Sequence, residues 1–369
     1  MSTPAPDSIL LGDCIEMLEA LEEPIADLVF ADPPFNIGYA YDEYHDFRPA
    51  EVYVDWTRRW MRACSEKALR PTGSFWIAIG DDHAADVVHI GKRDLGLTLR
   101  NWVLWHYTFG QNTKAKYARA HTHLLYFTKD PREFTFNDDV LRVFSDRQKH
   151  YADRRANPAG KLPDDVWNEY SRLCGTFAER RGHHPCQMPE SILGRIIRGC
   201  SNHGDLVLDP FLGSGTTAVV AAKMGRRYIS IDISQQYVDE ARKRIAEATS
   251  HQNRQLADGV FWPDLHVDAL WCLYAEDDVF VGTLVKEPYL IELFTRQLNT
   301  RIAGMYAHDH APKPYGEHEI VTQLRRMASR NRLPRLRSET TGRAKQKERS
   351  RPSQTQGELF GDAAFGSTP

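Results

Sequence analysis

The stretch from Asp205 to Thr217 limits most strongly what this chain can become. Asp205-Leu206-Val207-Leu208 is a compact apolar strand. It runs straight into Asp209-Pro210-Phe211-Leu212-Gly213-Ser214-Gly215-Thr216-Thr217. Gly213 and Gly215 can adopt positive φ and let the backbone lie against a ligand. The spacing then predicts a helix over 216–224, whose first N–H groups face whatever the loop encloses. A strand over 227–231 and a helix over 236–248 follow, an order that predicts parallel strands with crossover helices. Asp232 stands just past the second strand, where dinucleotide folds place an acid for ribose hydroxyls. Ala218 replaces the third glycine of the NAD fingerprint, and no Gly-Lys-Thr completes a P-loop. The pattern predicts a nucleoside pocket without the usual phosphate motifs.

The amino-terminal part carries a second signal. Ser8 to Leu11 is a short apolar strand, and Ile15, Leu18 and Leu21 give residues 14–21 helical spacing. Ala26 to Phe30 is a buried strand that ends on Asp32-Pro33-Pro34-Phe35. Two prolines cannot continue a central strand, so the chain leaves the sheet there. Ligands in open α/β sheets bind outside such carboxyl ends. The Asp32 side chain and the Pro33 carbonyl could hold an amino group by its two N–H bonds, and Phe35 could stack on a flat ring. A helix over 52–69, stopped by Pro71 and Gly73, and strands over 74–79, 101–107 and 123–128 complete this half.

Periodicity fades between Asp130 and His184. Arg147, Lys149, Arg154, Arg155, Lys161, Arg172, Arg180 and Arg181 alternate there with Tyr151, Trp167, Tyr170 and Phe177. A structureless loop of that length is unusual in a compact domain, so an inserted module is expected. Order returns with a helix over 191–200. Later, residues 288–305 show helical spacing behind Pro288, and 320–327 suggests another helix. Beyond Pro334 the chain is polar and aperiodic, which predicts disorder. The expected units are 1–130 and 185–250 as two halves of one α/β domain, 131–184 as the insert, 251–334 as a helical addition and 335–369 as a basic tail.

Charge and cysteines narrow the class. Net charge is -3, yet residues 325–351 hold eleven Arg or Lys against Glu339 and Glu348. A basic stripe on an acidic body points to an anionic partner. The six cysteines form no C-x-x-C pair, so no zinc ribbon and no metal site is expected. The start of the chain has neither a basic nor an apolar signal segment, and no apolar run approaches a membrane span. A cytoplasmic, reduced-thiol protein without membrane contact is expected.

The two loops, in this order and with the basic segment between them, resemble the S-adenosylmethionine-dependent DNA amino-methyltransferases of the β arrangement. There the catalytic loop comes first, the target-recognition region next and the cofactor loop last. Gly12-Asp13-Cys14, His184-Pro185-Cys186-Gln187-Met188-Pro189 and Gly225-Arg226-Arg227-Tyr228-Ile229 extend the match to residues 9–248. The resemblance implies a Rossmann-like, doubly wound, mostly parallel α/β sheet. It implies S-adenosylmethionine contacts from Asp13, Cys14, Asp209, Phe211, Gly213, Gly215 and Thr216, with Asp232 on the ribose. Asp32, Pro33, Pro34 and Phe35 would grip the target base. Arg147, Lys149, Arg154 and Arg155 are candidates for contacts to double-stranded DNA. Met188 stands where many relatives carry Lys, so a polar contact of that side chain is lost.

Three chemistries compete. Methylation at carbon 5 of cytosine would use Cys186 as nucleophile, but the Asp-Pro-Pro-Phe loop would then have no task. N4-cytosine enzymes of the family usually carry Ser in place of Asp32, and the acidic form is commoner among N6-adenine enzymes. Site-specific methylation of the N6 amine of a flipped adenine is therefore expected, with N4-cytosine methylation or a catalytically decayed DNA-binding relative as alternatives. Gln356-Gly357-Glu358-Leu359-Phe360 resembles short peptides that dock on the bacterial sliding clamp, with Gln356, Leu359 and Phe360 as anchors.

Overall fold

The computed structural model describes residues 4–337, apart from 40–41, 45, 108–113, 152, 174–178, 182–185, 251–253, 258–259 and 335. Cys174, Phe177, His184, Pro185 and the clamp-like segment with Gln356, Leu359 and Phe360 lie outside the described residues. Eight strands form one sheet: β1 (Ser8–Leu11), β2 (Ala26–Ala31), β3 (Leu69–Ile79), β4 (Thr98–His106), β5 (His121–Thr128), β6 (Val166–Trp167), β7 (Leu206–Asp209) and β8 (Arg227–Asp232). Their order is β1-β8-β7-β2-β3-β5-β4-β6. β5 runs antiparallel to β3 and β4, and the other pairings are parallel. This is the doubly wound, mostly parallel α/β architecture expected.

Side chains alternate across the sheet, as the two-residue period of a strand requires. Val29, Ala31, Phe75, Ile77 and Phe127 enter the core under α1 (Cys14–Glu19), α2 (Ala50–Arg62) and α3 (Asp81–His89). Leu28, Phe30, Trp76, Ala78 and Tyr126 enter the opposite core. That face carries α5 (Glu190–Cys200) and α6 (Thr216–Lys223), and α7 (Gln235–Ser250) packs beside them. Among the described residues α3 runs on into a π-helical turn, Ile90–Asp94, and the short helix α4 (Asp146–Tyr151) lies between it and α5.

Two boundaries differ from expectation. α2 passes through a π-helical turn, Ala63–Ala68, directly into β3, which begins at Leu69 and includes Pro71 and Gly73. Leu69 pairs with Ala26, but the next paired residue is Ser74 with Leu28. Residues 70–73 bulge out of the ladder, so Pro71 needs no ladder N–H. Residues 131–184 are woven into both halves: β6 extends the sheet, Val143 bridges Lys161, Tyr170 is buried against the sheet core and Phe144 against the carboxyl-terminal helices.

After the β9 (Arg254–Ala257) and β10 (Val260–Pro263) hairpin come α8 (Asp264–Asp277), α9 (Val281–Lys286), α10 (Pro288–Ala303) and α11 (Glu317–Ser329). α8 had no sequence signal, because its residues are buried on nearly every side and leave no amphipathic stripe. At its end the fully buried Glu276 pairs with Arg198 at 2.6 Å, Arg301 at 2.7 Å and Arg195 at 3.6 Å, and accepts from the Tyr170 hydroxyl. Those guanidinium groups hold its carboxyl far below the usual range, despite burial. One carboxylate thus joins α5, α8, α10 and the 131–184 segment. Among the described residues no helix is long and apolar enough to cross a membrane.

Candidate active site

β1, β8, β7 and β2 are parallel neighbours, so their carboxyl ends open along one edge of the sheet. The register sets Leu11 beside Asp232, Asp209 beside Ser230 and Val29 beside Leu208. Each strand ends at or just before an aspartate, and the four form a row: Asp13, Asp232, Asp209, Asp32. All four line one cavity of about 830 Å³, within the size range of small-molecule sites. Pro33, Pro34, Phe35, Cys14, Phe211, Gly213 and Thr216 line it too. The structure therefore brings both predicted loops to one place.

Gly215 is the exception. It does not line the cavity, and a Cβ there would lie 2.7 Å from Ala241 Cβ. At φ +75° it starts α6, and its missing side chain lets α7 pack closely.

The aspartates differ in occupation. Asp13 Oδ1 caps α1, accepting from Ile15 N at 2.7 Å and Glu16 N at 3.3 Å. Asp232 accepts from Gly213 N at 2.8 Å and Ser234 N at 2.9 Å, which ties the glycine loop to β8. Asp209 Oδ1 accepts from Phe211 N at 2.9 Å. No hydrogen bond to the Asp32 carboxyl is found among the described residues. Burial pushes Asp32 up to about 8, with Asp209 adding repulsion and Arg172 opposing. Burial pushes Asp209 up to about 7, Asp232 is raised by burial as well, and the Cys14 thiol is driven far up by burial and Asp13. Acids held this way favour a cationic ligand, which would lower the cost of their ionisation. A sulfonium with an attached ammonium and ribose fits that row; Asp13, Asp209 and Asp232 would hold it.

The turn from Asp32 to Phe35 has supports that the sequence did not disclose. The Tyr53 hydroxyl on α2 donates to the Pro34 carbonyl at 2.7 Å. Buried Asp46 accepts from Asn36 N, Ile37 N and Tyr39 N at 2.7, 3.1 and 3.0 Å. Asn36, at φ +60°, exchanges two side-chain hydrogen bonds with the Arg48 backbone. The Ser234 hydroxyl donates to Asp42 at 2.6 Å, which carries the same loop across to β8. Met188 lines the cavity as an apolar side chain, 8% exposed.

The four predicted DNA-contact residues lie elsewhere. None of Arg147, Lys149, Arg154 and Arg155 lines the cavity. Arg147 and Arg155 both pair with Asp153, at 2.7 and 3.0 Å, and Arg154 sits 5.9 Å from the Tyr289 ring of α10. The cations that line the cavity are Arg48, Lys116, Arg119 and Arg172.

A family model described as DNA methylase, for N6 and N4 methyltransferases, matches residues 26–243, more than half of the chain. Over 239 residues the chain is 36% identical to the Type II methyltransferase M.HpaI of Haemophilus parainfluenzae, covering 64% of this chain and 73% of that one. It is 32% identical over 258 residues to the DNA adenine methyltransferase YhdJ of Escherichia coli K12, covering 68% and 86%. The fold resembles that of the PvuII cytosine-N4-specific DNA methyltransferase, with a TM-score of 0.52 at 20% identity over 80% of this chain and 94% of that one. The chain belongs to the S-adenosylmethionine-dependent DNA amino-methyltransferases.

Proposed function

We propose that this enzyme transfers the methyl group of S-adenosylmethionine to the exocyclic N6 amine of an adenine turned out of double-stranded DNA. The observation that carries the reading is Asp32, a carboxyl with no hydrogen-bond donor among the described residues, facing a cavity that also holds the acid row. An adenine amine is a poor nucleophile, because its lone pair is delocalised into the ring. Asp32 and the Pro33 carbonyl accept its two N–H bonds and favour a pyramidal nitrogen. Positioning of that nitrogen supplies much of the acceleration, and the same acceptors stabilise the charge that develops on it. When bound along the acid row, S-adenosylmethionine supplies the activated methyl group. The amine loses one proton in the transfer, and Asp32, its ionised form favoured by the sulfonium charge beside it, accepts it. Phe35 offers a ring face to the base. The name of the adenine-specific relative supports adenine over cytosine.

The test is methyl transfer from labelled S-adenosylmethionine to plasmid DNA, followed by digestion to nucleosides and mass spectrometry. N6-methyldeoxyadenosine is expected. N4-methyldeoxycytidine would move the reading to cytosine, and no incorporation would overturn it.

A further inference from the structure

Asp13, Asp32, Asp209 and Asp232 line the cavity at strand ends, whereas Arg48, Lys116, Arg119 and Arg172 lie on the segments around it together with Glu43 and with Asp82, which pairs with Arg119 at 2.9 Å. Phe47 lines the same cavity yet is 86% exposed. A phenylalanine left in water forfeits the burial that normally stabilises it, so its surroundings matter. Both of its chain neighbours are anchored. Asp46 is buried and holds three backbone N–H groups of residues 36–39. The Arg48 backbone N–H donates to Asn36 Oδ1 at 2.6 Å, its carbonyl accepts from Asn36 Nδ2 at 2.9 Å, and its guanidinium lies 4.6 Å from the Tyr44 ring and 5.3 Å from the Trp56 ring. Asn36 directly follows Phe35. A projecting aromatic is therefore held in fixed relation to the catalytic turn, with a fixed cation beside it. Positive charge suits phosphates, and a flat apolar side chain suits the gap in a base stack.

We propose that Phe47 is a positioning residue that enters the duplex where the target base leaves it, with Arg48 and Lys116 toward the flanking phosphates. This rests on the reading that the enzyme methylates a base turned out of double-stranded DNA. Stacking of Phe47 would stabilise the open duplex and so offset the cost of base extrusion.

Phe47→Ala and Phe47→Trp test it on two short duplexes. Both carry the site first read by sequencing modified DNA from an expressing host; one is fully paired, the other mismatched opposite the target base. Phe47→Ala should lower kcat/KM about tenfold or more on the paired duplex but less than about threefold on the mismatched one, where extrusion already costs less. Phe47→Trp should restore most of the loss, and cofactor affinity and Tm should stay as in the wild type. An equal loss on both duplexes, or none on either, overturns the role of Phe47. Wild-type protein that methylates neither duplex overturns the DNA-methylation reading, and this proposal with it.

Discussion

The Tyr53 hydroxyl donates to the Pro34 carbonyl across 2.7 Å, so the helix that follows the turn fixes the turn that carries Asp32. Tyr53 is buried, and its phenol pKa is raised strongly by that burial, so it acts as a neutral donor. Tyr53→Phe leaves the Pro34 carbonyl without this donor. The expected cost is about 1 kcal/mol of stability, with kcat reduced and cofactor affinity unchanged. Steady-state kinetics beside thermal unfolding would check both parts.

Asp32 gives the enzyme a pH signature. Its folded pKa, about 8, lies above the unfolded value, so the folded state retains a proton that the unfolded state releases. Stability of the ligand-free protein should therefore fall as pH rises from about 4 to about 8, and level off above. Asp32→Asn should make that slope shallower, with Asp209 retaining its own contribution, stabilise the ligand-free protein at pH 8, and abolish methyl transfer. Denaturant titrations across this pH range would reveal it. Cofactor affinity should rise over the same interval, and the demethylated product, which lacks the sulfonium charge, should show a weaker rise.

Asp232 has two duties, so its substitution has two effects. It holds Gly213 N and Ser234 N, and it lines the cavity. Asp232→Ala should weaken S-adenosylmethionine binding by about 1.5–3 kcal/mol for each charge-assisted hydrogen bond lost. It should lower Tm as well, because the glycine loop loses its anchor. Calorimetry that finds unchanged affinity would remove Asp232 from the ligand contacts.

Arg154 and Arg155 should contribute unequally to DNA binding. Arg155 and Arg147 share Asp153, whose carboxyl these arginines hold below the usual range. A phosphate would have to compete with that acid. Arg154→Ala should lower the salt slope of DNA binding by about one, and Arg155→Ala by less. Affinities measured over a salt series would compare them.

Glu276→Gln should destabilise the fold by about 3–5 kcal/mol, as removal of one partner leaves buried charge unpaired. The loss should persist at high salt, because the cluster is shielded from solvent.

The acid row was legible because each member follows an apolar run, and because Pro33-Pro34 and Gly213-Ser214-Gly215 announce that the chain leaves the sheet. Strand and helix periods located most of the sheet for the same reason. Asp46, Tyr53 and Asn36 were not legible: their partners are backbone groups, and backbone groups have no sequence signature. Arg172 was one basic residue among many in a turn-rich stretch, and only folding brings it toward Asp32. α3 carries two aspartates in its first turn and little apolar pattern to announce it. For Arg147 and Arg155 the charge is plain in the sequence, but only the fold shows that Asp153 takes it up.

The Glu276 cluster bears on how such proteins can be recombined. Arg195 and Arg198 belong to the helix before the cofactor strand, while Glu276 and Arg301 belong to the carboxyl-terminal helices. A chimera that exchanged only those last helices with a relative lacking the acid would leave buried Arg198 without a carboxylate and Arg195 with Glu169 alone, at 3.5 Å. Grafts across this junction should fail unless the arginines and the glutamate travel together, so the segment that holds α5 and the carboxyl-terminal helices would be inherited as a matched set rather than as exchangeable modules.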